Sequence, residues 1–294
     1  FIPPVQGVDL KGVISFRDIY DVNTMIKYCE TKKNAVVIGG GLLGLEAAYG
    51  LKQRGMNVTV LHLMDRIMER QLDGRASRML RQSIEEKGIN IITEANTEAL
   101  IGKDGHVNQV RLKDGTVLDA DLVVFAVGIR PNIALAQSAG LRCNRGILVN
   151  DTMQTFDPSI YAVGECIEHR NQTFGLVEPL WGQAFICATH LAEHGSLTFK
   201  SPTVPTQLKV SGVDVFSAGN FEPKEDYEDI ILNDEKRQIY KRIIIQKDKV
   251  IGAVLFGDTE DGMWYAELIA DQTPISTFRN KLLFGKDFAM KKAG

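Results

Sequence analysis

Hydrophobic positions along this chain follow two rhythms. Short uninterrupted runs bounded by glycine or polar turns predict buried strands, and stretches recurring every three to four residues predict amphipathic helices. Residues 1–30 open extended, because Pro3 and Pro4 disfavour helix, and Asp18–Glu30 then has helical spacing through Ile19, Val22, Met25 and Ile26. A buried run at Ala35–Ile38 leads into a helix from Leu42 that turns Leu45, Ala48, Tyr49 and Leu51 to a core and stops at Arg54-Gly55. Strand Val58–Leu61 follows, ending at His62. A helix over Asp73–Lys87 comes next, with Asp73 as N-cap, Ala76, Met79, Leu80 and Ile84 on one face and Gly88 past its end. Strand Ile89–Ile92 precedes two turn signals, Lys103-Asp104-Gly105 and Lys113-Asp114-Gly115, which divide short β segments into a meander. The run Leu122–Val127 is a buried strand ending at Gly128.

From Gly146 the pattern changes. Ile147–Val149 and Ser159–Cys166 read as short strands. A helix over Leu180–His194 places Trp181, Ala184, Phe185, Ala188 and Leu191 on one face, which reads as core rather than as a cofactor surface. Polar Ser196–Pro205, with two prolines, reads as a linker. Beyond it lie strand-like runs at Gln207–Val210, Val213–Ala218, Ile230–Leu232, Ile239–Ile245 and Val250–Phe256, the last two joined by the hairpin signal Gln246-Lys247-Asp248-Lys249. A helix over Asp261–Ala270 and an amphipathic segment at Thr277–Leu283 close an α+β tail that carries no catalytic constellation.

Composition narrows the class. The 294 residues, 44% hydrophobic and 24% charged, suffice for two or three domains with real cores. A formal net charge of -3 offers no basic field for nucleic acid or an acidic membrane. No apolar run approaches a membrane span, and no basic-then-apolar leader is visible. Four scattered cysteines without a C-x-x-C pair argue against a zinc site, a redox disulfide or a secreted disulfide framework. The expectation is a soluble, cytoplasmic protein. The opening Phe1-Ile2-Pro3-Pro4, without an initiator Met, reads as a cut from something longer.

The candidate chemistry sits in Val36-Val37-Ile38-Gly39-Gly40-Gly41-Leu42-Leu43-Gly44-Leu45-Glu46, a strand, a glycine turn and the first turn of a helix. Gly39, Gly41 and Gly44 fit G-x-G-x-x-G: a tight turn, a close approach for pyrophosphate, and close helix–strand packing. Backbone N–H groups at the helix start receive the phosphates. This makes the fold class α/β, with a Rossmann-like dinucleotide-binding domain, a β-meander and a small C-terminal α+β domain. His62 stands 23 residues beyond Gly39, where an acid usually grips the ribose hydroxyls of NAD. It either binds there or merely ends a strand. The missing acid removes repulsion toward a 2′-phosphate, and Arg66 or Arg70 can pair with one. NADH and NADPH both stay open. Gly128 permits another close backbone approach at a strand's carboxyl end, and Glu165, after Gly164, is a carboxylate able to accept from a polyol.

GGGLLGLE, then FAVGIRPN, then IYAVGEC, then a small α+β tail resembles the two-dinucleotide flavoprotein reductases of the pyridine nucleotide-disulfide oxidoreductase class. Within that class, FIPPVQG, HLMDRIMERQLD and KVIGAVLFGDTEDG are most similar to the reductase end of NAD(P)H-dependent nitrite reductase large subunits, and next to NADH–rubredoxin reductases. The resemblance implies that Gly39, Gly40, Gly41, Leu42, Leu43 and Gly44 hold the NAD(P)H pyrophosphate. Glu46 lies near the nicotinamide end, His62 with Arg66 at the adenosine ribose, and Gly128 along the nicotinamide nucleotide. Gly164 and Glu165 match the glycine–aspartate motif that holds the FAD ribityl chain, with Glu165 one methylene longer. Pro179 and Leu180 match the helix start facing the flavin ring.

It further implies four regions. Residues 1–30 are the tail of an incomplete FAD-binding domain, 31–145 the NAD(P)H-binding domain, 146–202 the returning segment of the FAD domain, and 203–294 an interface or dimerisation domain. The redox-active disulfide of the disulfide reductases is absent, so electrons pass from flavin to a downstream acceptor, either an iron–sulfur and sirohaem module or rubredoxin. The first nucleotide-binding unit of such enzymes is not in this sequence, so this piece is expected to hold little or no FAD. The tail is left open as a homodimer interface or a docking face.

Overall fold

Ala35–Ile38 and Leu122–Phe125 are buried along their whole length, as strands covered on both faces must be. The computed structural model describes residues 1–193, 195, 197–201, 205–223 and 225–290. Contacts divide the chain into two units, Phe1–Gly128 with Pro205–Gly294, and Ile129–Val204.

In the first unit β1 (Val13–Ser15), α1 (Ile19–Thr31), β2 (Asn34–Ile38), α2 (Leu42–Gln53), β3 (Asn57–Leu61), α3 (Gly74–Glu85) and β4 (Ile89–Ile92) follow in order. The meander β5 (Thr97–Lys103), β6 (His106–Leu112) and β7 (Val117–Asp119) then leads to β8 (Leu122–Phe125). The sheet is parallel throughout, in the order β1-β8-β2-β3-β4. Residues 1–30 thus contribute an edge strand here and a helix that buries Met25 in the same core; Ile19, expected on that face, is exposed. Asp18 closes a capping box on α1, and Asp73 caps α3 by accepting from the N–H groups of Arg75 and Ala76. Gly55 and Gly88 stop α2 and α3 at positive φ (+87° and +78°).

The C-terminal part of this unit is a five-stranded antiparallel sheet. Its strands are β12 (Thr206–Val210), β13 (Val213–Gly219), β14 (Glu228–Asp234), β15 (Ile239–Gln246) and β16 (Lys249–Phe256), in the order β12-β13-β16-β15-β14. Its residues Val210, Val215, Tyr240, Val254 and Phe256 join the core of Leu45, Leu51 and Leu80. The other face packs Phe216 and Leu255 against α6 (Gly262–Asp271). A 3-10 turn, Arg279–Phe284, stands at the expected amphipathic segment.

The second unit holds α4 (Ala134–Ser138), which the sequence reading left without an element, then β9 (Ile147–Val149), β10 (Ile167–His169), β11 (Gln172–Thr173) and α5 (Val177–Leu191). Two expectations are corrected here. Ser159–Cys166 is not a strand: only Tyr161 makes a bridge, to Gln154, Gly164 turns at φ +103°, and the strand begins at Ile167. The face of α5 expected as core is the exposed one. Trp181 (73% exposed), Phe185 (63%), Leu191, Ala184 and Ala188 face outward, while Pro179, Gln183, Ile186 and Cys187 are buried. Helical spacing places residues on one face but does not say which face meets the core. Of the expected linker, residues 196 and 202–204 lie outside the described residues, and Phe199 is buried against His169 and Phe174. Among the described residues no helix is long and apolar enough to cross a membrane.

Candidate functional site

The carboxyl end of β2 turns through Gly39, whose φ of +124° lies in the region that favours glycine. A Cβ there would sit 2.3 Å from the Ala126 carbonyl oxygen, and one on Gly44 would sit 1.8 Å from that of Gly39. Gly39 is therefore demanded by the close approach of the chain after β8, and Gly44 by packing of helix on strand. Gly41 differs. It has an ordinary φ of −84°, and a Cβ added to it meets nothing within 4 Å. It is also the N-cap of α2 and supplies no side-chain cap, so the first N–H groups of a twelve-residue helix have no capping side chain. An anionic group fits this cradle, since free N–H groups and the helix dipole both favour negative charge. Leu42 is half-buried and Leu43 exposed in the first turn. Gly128, past the end of the neighbouring strand β8, turns at φ +94° with nothing near a would-be Cβ. On α2, partial desolvation pushes the Glu46 carboxyl above the ordinary glutamate value.

Gly40 has a reason that the sequence did not disclose. A Cβ there would lie 2.9 Å from both the His62 ring and Ile67. The His62 imidazole is stacked over the turn, and its Nδ1 accepts from the Gly40 N–H at 3.0 Å. Nδ1 is therefore unprotonated and the proton sits on Nε2, 3.0 Å from the Glu69 carboxylate. The Met68 N–H donates to the Gly40 carbonyl, pinning the 63–72 loop on the same turn. Arg66 is bound to Glu222 at 2.5 Å, while Arg70 is exposed, 3.9 Å from Glu69.

In the second unit Gly164 presents open space at positive φ, and its N–H donates to Gln183 Oε1 at 2.8 Å. Gln183 is fully buried, and its Nε2 has no partner. Glu165 is half-buried beside it in sequence; Pro179 is buried and Leu180 half-buried in the first turn of α5, which lacks a side-chain cap. An open glycine, an orphaned amide and an uncapped helix suit a polar group such as the polyol and phosphate part of FAD. Nearby, Glu168 is buried. Burial alone would raise its carboxyl, but donation from Asn144, Gly146 and Arg145 holds it below the usual glutamate value.

Glycines 39, 40, 41, 44 and 128 are thus brought to one sheet edge with His62, and Gly164, Glu165, Pro179 and Leu180 to the second unit. Glu69 and Gln183 were missed. The signal for Gln183 was a polar residue on the Pro179–Ile186 face; for Glu69 there was none, because the loop that places it follows no period.

A parallel sheet with a glycine turn opening an uncapped helix, followed by a β-meander, defines a dinucleotide-binding α/β protein. The chain belongs to the pyridine nucleotide-disulphide oxidoreductase family, whose profile matches residues 1–184. Residues 205–273 match the rubredoxin NAD+ reductase C-terminal domain. It is 49% identical over 276 residues to a nitrite reductase (NAD(P)H) of Bacillus subtilis (strain 168), covering 94% of this chain and 34% of that protein. It is 41% identical over 282 residues to the assimilatory nitrate reductase electron transfer subunit of the same organism, covering 96% and 36%. The chain therefore spans about a third of the length of these curated relatives. Among solved structures, a NAD-dependent persulfide reductase from A. fulgidus superposes with a TM-score of 0.84 at 29% identity, over 95% of this chain and 56% of that one.

Proposed function

We propose that this chain is the dinucleotide-binding part of an NAD(P)H-dependent flavoprotein oxidoreductase that passes electrons to a downstream acceptor. The observation that carries the reading is the Gly41 cradle: open space before an uncapped helix, at the carboxyl edge of a parallel sheet. Gly39, Gly40, Gly41, Leu42, Leu43 and Gly44 hold the pyrophosphate, His62 and Arg66 stand at the adenosine ribose, and Glu46 and Gly128 flank the nicotinamide end. Gly164 and Glu165 orient the ribityl chain of FAD, and Pro179 and Leu180 begin the helix that faces its ring. FAD, when bound, supplies acceptance of the hydride and release of single electrons. The chain's own work is to bind and orient; hydride transfer asks no side chain to act as general base.

The name of one Bacillus relative supports a nitrite-reducing centre as the acceptor, and that of the other supports electron transfer to a downstream reductase. In this reading residues 146–202 return to a flavin-binding half and 203–294 serve as an interface, including a homodimer. The match of residues 205–273 favours a second reading, in which the acceptor is a rubredoxin or ferredoxin. A cytoplasmic setting accords with four free cysteines among the described residues. Calorimetric titration of the chain with NADH and with NADPH tests the site; absence of heat with both rejects it. Titration of the chain with FAD, followed by flavin fluorescence, tests the second unit: binding is expected to be weak, and Gly164→Val to weaken it further. Flavin binding by that variant as tight as by the wild type rejects the Gly164 assignment.

A further inference from the structure

The position where an acid is expected to grip the ribose carries His62, and the structure accounts for both of its nitrogens. Nδ1 is used by the Gly40 N–H and the Nε2 proton by Glu69. A ring held this way is neutral. It offers no charge to a 2′-phosphate and no spare acceptor to a ribose hydroxyl. The charge at this corner belongs to the carboxylate behind it. Glu69 Oε2 meets His62, whereas Oε1 lies 3.9 Å from Arg70 Nε, beyond hydrogen-bond reach, and keeps accepting capacity. The loop that carries Glu69 is fixed: Met68 N–H donates to the Gly40 carbonyl, Ile67 is buried, and the Ile67 carbonyl accepts from Ser77.

The cations that would welcome a phosphate each already face a carboxylate. Arg66 is bound by Glu222, and Arg70 is an exposed side chain beside Glu69 itself. A 2′-phosphate would bring close to two negative charges toward Glu69 and Glu222, two carboxylates whose charge Arg66 and Arg70 already offset. A 2′-hydroxyl needs only an acceptor.

We infer that Glu69, held through His62 against the glycine turn, is the specificity-determining residue that makes this site select NADH over NADPH. The inference rests on the assignment of the glycine turn to NAD(P)H. Glu69 takes the electrostatic part that an acid at position 62 plays elsewhere, from seven residues further along the chain and through an intervening imidazole.

The test is the ratio of dissociation constants for NADH and NADPH, measured by calorimetry on the chain and on two variants. Glu69→Gln keeps an acceptor for His62 and removes the charge. It should weaken NADH on the order of tenfold, because its one amide oxygen is spent on His62 and none is left for the ribose hydroxyl, while NADPH is not weakened, so that the ratio of the two dissociation constants shifts toward NADPH. Glu69→Asp keeps the charge and should keep the wild-type preference. A merely structural role would weaken both nucleotides in parallel in both variants, and that result overturns the inference, as does an unchanged ratio in Glu69→Gln or a wild type that prefers NADPH. Absence of heat with either nucleotide on the wild type overturns the site assignment itself, and the inference falls with it.

Discussion

Gly41 and Gly44 look alike in the sequence and should behave oppositely when each is changed to alanine. At Gly44 the new Cβ would meet the Gly39 carbonyl oxygen at 1.8 Å, and that oxygen belongs to backbone fixed between β2 and α2. Helix and strand must separate, at a cost of about 3 kcal/mol. At Gly41 the backbone angles suit any residue and no atom lies within 4 Å. Alanine there gains ~0.4–1 kcal/mol by restricting the unfolded chain and loses a comparable amount as a poorer N-cap, so stability should stay within about 1 kcal/mol of wild type. The same methyl fills the space a pyrophosphate would enter. Losing one or two charge-assisted bonds to the helix N–H groups, at about 1.5–3 kcal/mol each, weakens dinucleotide binding by at least about tenfold. Thermal unfolding and NADH calorimetry on both variants separate the two effects. A Gly41→Ala chain that binds NADH as tightly as wild type would show that the open space is not the phosphate cradle.

Other outcomes follow from particular contacts. Tyr240→Phe removes the buried hydroxyl that donates to Asp73 at 2.8 Å and should lower stability by about 1 kcal/mol in urea unfolding, since Arg242 still serves the same carboxylate oxygen. The stabilisation from Glu168, whose folded value is depressed, is present above the unfolded glutamate value and lost as pH falls through the folded one. Acid unfolding followed by circular dichroism should therefore begin within that window, and an unaltered acid limb in Glu168→Gln would contradict the assignment. Trp181→Ser with Phe185→Ser should leave stability within ~0.5 kcal/mol per site while lowering self-association in sedimentation, because neither side chain is buried. A large loss of stability would mean that this face is packed after all.

The sheet is legible in the sequence because its central strands are short, largely uninterrupted apolar runs and the turn after the first of them carries the glycine spacing of a dinucleotide site. Gly44 and the capping oxygen of Asp73 act on neighbours within a few residues, so their roles could be read from spacing alone. Gly164 could not. Its N–H is answered by Gln183, and a turn held by a side chain nineteen residues away resembles a strand when only Tyr161, Ala162 and Val163 are in view. The helix α5 shows the same limit in another form: a correct period with the wrong side assigned to the core. The His62–Glu69 pair combines both difficulties, since a buried imidazole selects its partner by the path of an irregular loop.

Asp73 shares one carboxylate between two duties, capping α3 with Oδ1 and receiving Tyr240 and Arg242 with Oδ2. The core around Leu45 and Leu51 is likewise completed by Val254 and Phe256, residues from the far side of the 129–204 segment. During synthesis, the glycine-turn layer therefore emerges long before the strands that seal it. Its apolar underside must wait through the translation of well over a hundred further residues. This half of the molecule should be the one that leans on chaperones as it leaves the ribosome, and destabilising changes in β15 or β16 should lower yield in the cell more than they lower the stability of the finished protein.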